Sequence, residues 1–211
     1  MDLLRRSVIS YGTRKDWLLT MSDTKNIMIV GVGGQGTLLT SRILGNLAIG
    51  QGFDVKVSEV HGMSQRGGSV VTYVKYGSKV YSPVISEGEA DIILAFEQLE
   101  AYRYIKHLKK DGKMLINTQK LDPMPVITGA MQYPDEIIEK LKSTGAKIFA
   151  VDALSAAVEA GNSKAVNVVM LGVLASQMDI DKSVWISAIE QTVPAKFLEL
   201  NKKAFELGLC L

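Results

Sequence analysis

The sequence predicts a doubly wound, Rossmann-like α/β fold with a mostly parallel sheet, an edge hairpin and a helical C-terminal section. Three observations carry this. Short apolar runs such as Ile27-Met28-Ile29-Val30 and Ile92-Ile93-Leu94-Ala95 are those of strands buried on both faces. Stretches with helical spacing alternate with such runs from Asn26 to Val151. Beyond Ala153 the strand signals stop and only helical patterns follow.

The elements run in that order. After the first strand, Leu38, Leu39, Ile43, Leu44 and Leu47 recur at helical spacing, and Gln51-Gly52 ends their helix. Residues 53–58 form the second strand. Residues 70–75 alternate, and Tyr76-Gly77-Ser78-Lys79 reads as a hairpin turn into Val80-Tyr81, an antiparallel pair at the sheet edge. The run beginning at Asp91 is the next buried strand. Its helix carries Leu99, Tyr102, Ile105 and Leu108 on one stripe and closes at Asp111-Gly112. Residues 113–117 are a strand leading into a loop with Pro123 and Pro125. Pro134 starts a helix bearing Ile137, Ile138 and Leu141, with Gly145 after its end. Residues 147–151 are the last strand, and residues 165–175 a helix apolar nearly all round and therefore buried. Asp181 caps a further helix, and a last one follows Pro194. No internal repeat or low-complexity segment interrupts this order.

Composition bounds the function. The chain has 211 residues, 47% hydrophobic and 22% charged, enough for one globular domain with a sizeable core. A net charge of +2 offers no clustered field for nucleic acid or an anionic membrane. No apolar run approaches the roughly 18 residues a membrane span needs. The single cysteine, Cys210, cannot pair internally, ligate an iron–sulfur cluster or build a zinc site, and such poverty in thiols fits the cytoplasm. Residues 1–24 read as a poorly ordered, basic N-terminal extension with Arg5, Arg6, Arg14 and Lys15, and Met21 as the natural start; residues 25–211 form the domain.

Two polar glycine loops concentrate the chemistry. The first, Gly31-Val32-Gly33-Gly34-Gln35-Gly36, stands between a strand and a helix and matches the dinucleotide fingerprint by letter. Its glycines suit a tight turn, close approach of a ligand to the backbone, or helix–sheet packing alone. A nicotinamide reading also needs an acidic residue ending the second strand; Glu59 stands there but opens a long polar loop. That second loop, His61-Gly62-Met63-Ser64-Gln65-Arg66-Gly67-Gly68, places an imidazole, a hydroxyl, an amide and a guanidinium among glycines. Arg66 is a rigid donor suited to phosphate or carboxylate, and His61 can carry a proton near neutrality. The alternative for this loop is solvated or intersubunit packing.

Other residues offer less. His107, beside Lys106, Lys109 and Lys110, reads as a surface histidine on the solvent side of a helix. Ser41 lies in no GxSxG motif, and no pair of carboxylates stands at helical spacing near a glycine loop. Asp111-Gly112 follows Lys110, so the thiamine-binding GDG signature is absent. Met170 and Met178 read as core fillers.

The two loops, in this order and separation, resemble the gamma domain of 2-oxoacid:ferredoxin oxidoreductases, most closely the small (beta) subunits that act on indolepyruvate. Asn167 and the apolar residues after it resemble the family's buried helix. The resemblance covers residues 25–208. It implies oxidative decarboxylation of arylpyruvates to acyl-CoA, with coenzyme A as co-substrate and ferredoxin as electron acceptor. It places thiamine diphosphate, magnesium and iron–sulfur clusters in a large (alpha) partner subunit, so that this chain is inactive alone and binds no cofactor itself. The other readings are a free-standing NAD(P)-binding oxidoreductase and a nucleotide-sensing regulatory module.

Overall fold

The computed structural model describes residues 24–62 and 67–211, so most of the N-terminal extension and Met63, Ser64, Gln65 and Arg66 lie outside the described residues. Six strands, β1 (Lys25–Val32), β2 (Asp54–His61), β3 (Ser69–Gly77), β4 (Ala90–Ala95), β5 (Leu108–Asn117) and β6 (Lys147–Val151), form one sheet in the order β2-β3-β1-β4-β5-β6. β3 runs antiparallel to β2 and β1, and the pairs from β1 through β4 and β5 to β6 are parallel.

Alternation along the strands assigns two helical layers. Ile27, Ile29 and Leu94 face Ile43, Leu44 and Leu47 of α1 (Thr37–Gly50), together with residues of α5 (Ala153–Ala160), α6 (Val166–Ala175), α7 (Lys182–Thr192) and α8 (Leu198–Leu209). Met28, Val30, Ile93, Met114 and Ile116 face Leu99 of α2 (Gln98–Tyr104) and Ile137 and Leu141 of α4 (Ile137–Ser143). A single turn, α3 (Met124–Ile127), lies between β5 and α4. With helices over both faces, residues 27–30 are at most 1% exposed, as their unbroken apolar run predicts. Every residue of α6 is buried, Met170 included, and Gly172 meets Gly208 of α8 so closely that the two helix backbones touch.

Several boundaries differ from the sequence expectation, each for a physical reason. β3 is not an edge strand, and residues 80–81 lie in no strand. The hairpin is β2 with β3, from Asp54 opposite Gly77 to His61 opposite Val70, which leaves β2 outermost. Val70, Val71, Thr72, Val74 and Tyr76 are buried on both faces of β3, a central-strand pattern that tolerates no solvent edge. Pro83, lacking an N–H, stands just beyond residues 80–81, and Val80 instead donates its N–H to Asp54 (2.9 Å) and is buried. The helix expected to run to Leu108 ends at Tyr104, and a one-turn 3₁₀ segment, Ile105–His107, follows. Leu108 is drawn into β5 opposite Ala90, and the chain then bulges before Lys113 pairs with Ile92, with Asp111 left-handed at φ 67°. Tyr102 of the expected apolar stripe is 43% exposed. α4 begins at Ile137, three residues past Pro134, because left-handed Glu136 (φ 54°) interrupts the chain between them.

Candidate functional site

β1 leads through α1 to β2 on one side of the sheet, and β4 leads through α2 to β5 on the other. The neighbouring C-terminal ends of β1 and β4 are therefore the switch point where open α/β sheets leave a crevice for ligands. The first glycine loop and the return end of the second, Gly67-Gly68, meet there. Although β3 separates their parent strands, the Gly33 N–H donates to the Gly68 carbonyl (2.9 Å) and the Gly67 N–H to the Gly33 carbonyl (3.5 Å). The loops' parent strands are not neighbours in the sheet. The structure joins them instead through the return of the second loop into β3.

The glycines of the first loop have separate reasons. A Cβ on Gly31 would lie 2.8 Å from the Gln35 Oε1 and 3.2 Å from Phe96 Cβ. Gly36 is left-handed (φ 85°), and a Cβ there would lie 2.7 Å from the Asn167 Nδ2. Asn167, 4% exposed, donates to the Gly36 carbonyl at 3.4 Å, so the buried α6 supports the start of α1. Gly34, at φ 102°, has open space around it.

Gln35 is turned inward. Its Oε1 accepts from the Val32 N–H (2.7 Å) and its Nε2 donates to the Phe96 carbonyl (3.1 Å). The same carbonyl accepts from Asn117 Nδ2 (3.1 Å), and Asn117 Oδ1 accepts from the Ala153 N–H (3.2 Å). A relay of two side-chain amides, half-buried Gln35 and fully buried Asn117, thus ties the ends of β1, β4 and β5 to the start of α5, which makes Gln35 a brace of the crevice. Glu59 is likewise committed: it belongs to β2, not to the loop, and its Oε2 accepts from the hydroxyls of Thr37 (3.3 Å) and Thr72 (3.2 Å). A carboxylate bound to the first turn of α1 competes with any anion there, and its oxygen is turned to the protein rather than to a ribose. His61, also in β2, is exposed, with Nδ1 3.0 Å from the Gly62 carbonyl.

Two carboxylates that the sequence reading passed over stand behind the second loop, contrary to the expectation of no such pair near a glycine loop. Glu97 is fully buried and caps α2, accepting from the Leu99 N–H (3.0 Å), the Glu100 N–H and the Tyr133 hydroxyl (3.4 Å). Glu100, 2% exposed, accepts from the Ser69 hydroxyl (2.5 Å) and from Arg103 Nη1 (3.0 Å). Burial pushes both carboxyls above the usual range; for Glu97 the nearby Glu100 adds to this, while for Glu100 the Ser69 hydroxyl and Arg103 oppose it. Some 30 residues separate them from the loop in sequence. The available signal was positional: Glu97 and Asn117 follow or end buried parallel strands, where sites of such sheets form.

His107 is half-buried rather than fully solvated, its ring centroid 5.6 Å from that of Tyr104, and desolvation lowers its pKa. A cavity of about 1040 Å3 opens at the opposite edge of the sheet, between Phe53, Tyr76, Lys113 and Met178. It is remote from both loops. No group of three or more metal-capable side chains occurs among the described residues.

The family model for pyruvate ferredoxin/flavodoxin oxidoreductase matches residues 26–211, and the chain belongs to that family. It is 43% identical over 189 residues to the indolepyruvate oxidoreductase subunit IorB of Thermococcus kodakarensis, covering 87% of this chain and 94% of that protein. Among solved structures it resembles the gamma subunit of a keto/oxoacid ferredoxin oxidoreductase from Geobacter sulfurreducens, with 26% identity, a TM-score of 0.64, and coverage of 87% and 95%. The same fold (TM-score 0.66, 18% identity) makes up 31% of the 2-oxoglutarate:ferredoxin oxidoreductase chain of Magnetococcus marinus and covers 89% of this chain. Family membership makes the chain a subunit of a 2-oxoacid oxidoreductase and sets aside the free-standing nicotinamide and regulatory readings.

Proposed function

We propose that the chain is the small subunit of an indolepyruvate:ferredoxin oxidoreductase, which converts arylpyruvates to acyl-CoA while reducing ferredoxin. The observation that carries this is the 43% identity, over 87% of the chain, to a subunit named for indolepyruvate. Thiamine diphosphate, magnesium and the iron–sulfur clusters belong to the large subunit in this reading. One exposed cysteine, and no metal-capable cluster among the described residues, do not fit an iron–sulfur centre here. A chain so poor in thiols fits a cytoplasmic complex.

This chain contributes the crevice at the C-terminal edge. The amide relay through Gln35 and Asn117 braces it, and His61, at the end of β2, stands where the second loop begins. Arg66 supplies a planar fork for a phosphate or carboxylate of coenzyme A, substrate or cofactor.

The test is reconstitution with the large subunit and comparison of indolepyruvate, phenylpyruvate, pyruvate and branched 2-oxoacids, with coenzyme A and ferredoxin. Indolepyruvate should exceed pyruvate in kcat/KM by at least about tenfold, or about 1.4 kcal/mol of transition-state discrimination. A complex that prefers pyruvate or a branched 2-oxoacid would contradict the assignment.

A further inference from the structure

The burial of Glu100 asks for an explanation beyond packing. A carboxylate at 2% exposure is costly unless it is paired and hydrogen-bonded, and the Arg103 that pairs with it is itself half in solvent. Most of what surrounds Glu100 fixes its place. Glu97 accepts from the N–H of Glu100 itself and sets the first turn of α2, and Tyr133 steadies Glu97 from the other side. The Glu100 carboxylate then reaches across the switch point, from the helix after β4 to Ser69, the first residue of β3. The Tyr104 hydroxyl closes the same cluster 3.5 Å from the Ser69 oxygen. Ser69 directly follows Gly67 and Gly68, whose backbone is bonded to Gly33. The return end of the second loop is thus held twice, by backbone to the first loop and by side chain to α2.

We infer that Glu100, acting through Ser69, is a positioning residue that sets the return end of the second loop against the first for the reaction of the assembled enzyme. The inference rests on the functional reading above, because it takes that loop to touch a reactant. Glu100 makes no contact with substrate in this account. Its work is to fix the backbone at Gly67 and Gly68, where a shift of about 1 Å is enough to lower turnover substantially. A carboxylate is suited to it because one oxygen can accept from Ser69 while the other accepts from Arg103.

The experiment compares Ser69→Ala, Glu100→Ala and Glu100→Gln with wild type, in two measurements. In the isolated chain, amide exchange at Gly67, Gly68 and Val70 should rise about tenfold in Ser69→Ala and Glu100→Ala, an opening easier by about 1.4 kcal/mol, and stay near wild type in Glu100→Gln, which keeps an acceptor. In the reconstituted complex, Ser69→Ala should lower kcat/KM about tenfold by raising KM more than it lowers kcat, with melting temperature unchanged, and Glu100→Gln should recover most of the loss. The double variant Ser69→Ala/Glu100→Ala should be no worse than the poorer single one, since both remove one link.

Wild-type exchange and kinetics in Ser69→Ala would overturn the inference. So would losses that follow melting temperature or subunit assembly instead of KM, or a Glu100→Gln complex as poor as Glu100→Ala. A wild-type complex that turns over no 2-oxoacid overturns the functional reading instead, and amide exchange then decides the anchoring alone.

Discussion

Gly36 shows how one residue joins sequence to site. Its left-handed backbone lets β1 turn into α1, and its missing side chain lets Asn167 reach the Gly36 carbonyl. Gly36→Ala should therefore lose stability twice over, by about 1–3 kcal/mol of backbone strain plus displacement of Asn167. Gly34→Ala, at φ 102° with nothing within 4 Å, should lose only the strain. Chemical denaturation of the two variants checks the difference, and equal losses would show that the Asn167 support is immaterial. Arg66 should behave in the opposite way. Arg66→Ala should leave stability within about 0.5 kcal/mol, as for surface substitutions. It should lower kcat/KM of the complex roughly tenfold to a hundredfold, the loss of a charged hydrogen bond of about 1.5–3 kcal/mol. Lysine should rescue only partly, since it keeps the charge without the fork. Steady-state kinetics with thermal melts separate the two, and unchanged kinetics would move the site away from this loop. The turn from β1 into α1 was legible because glycines crowded between a strand and a helix mark a tight turn, while Arg66 lies outside the described residues and stays an expectation. Glu97, Glu100 and Asn117 were not legible, because their partners are distant in sequence and only the sheet brings them together.

At the scale of elements, strands buried on both faces were the most legible feature, since an unbroken apolar run has few other homes. The entirely buried α6 was equally plain, and Asp181 caps α7 as its residue type suggests, accepting from the Ser183 N–H at 2.7 Å. Strand order was less so. The alternation of residues 70–75 fits an edge as well as a centre, and the long polar loop hid a hairpin whose two strands meet on either side of it. The α6–α8 crossing offers a sharp test. A Cβ on Gly172 would sit 2.2 Å from the Phe205 carbonyl, and one on Gly208 2.0 Å from that of Val169. Either alanine variant should lose about 1–3 kcal/mol or more, because backbone, not a side-chain tip, blocks the methyl. A melting temperature equal to wild type would mean that the helices have room to part. The carboxyls around α2 add a pH dependence whose sign can be worked out. Burial raises Glu97 and Glu100 above the ordinary value of 4.5, so the folded state holds their protons more tightly than the unfolded chain. The stability this contributes is complete below that value and is lost as pH rises through the raised pKa. Denaturation across pH 4–8 should show wild type losing stability upward from about pH 4.5, with a shallower fall in Glu100→Gln. An equal slope in both would assign the effect elsewhere.

At the scale of the whole molecule, the central claim is that this chain is one component of a larger catalyst. The fold supplies a braced crevice at one sheet edge, and one cysteine is too few to hold an iron–sulfur cluster, so the proposed function assigns electron transfer to the large subunit. The most direct measurement is indolepyruvate-dependent, coenzyme A-dependent reduction of ferredoxin by the large subunit with and without this chain. The account predicts robust turnover only when both are present, and no iron, colour or 2-oxoacid oxidation from this chain alone. Full turnover by the large subunit alone, or stoichiometric iron and sulfide in the isolated chain, would contradict it.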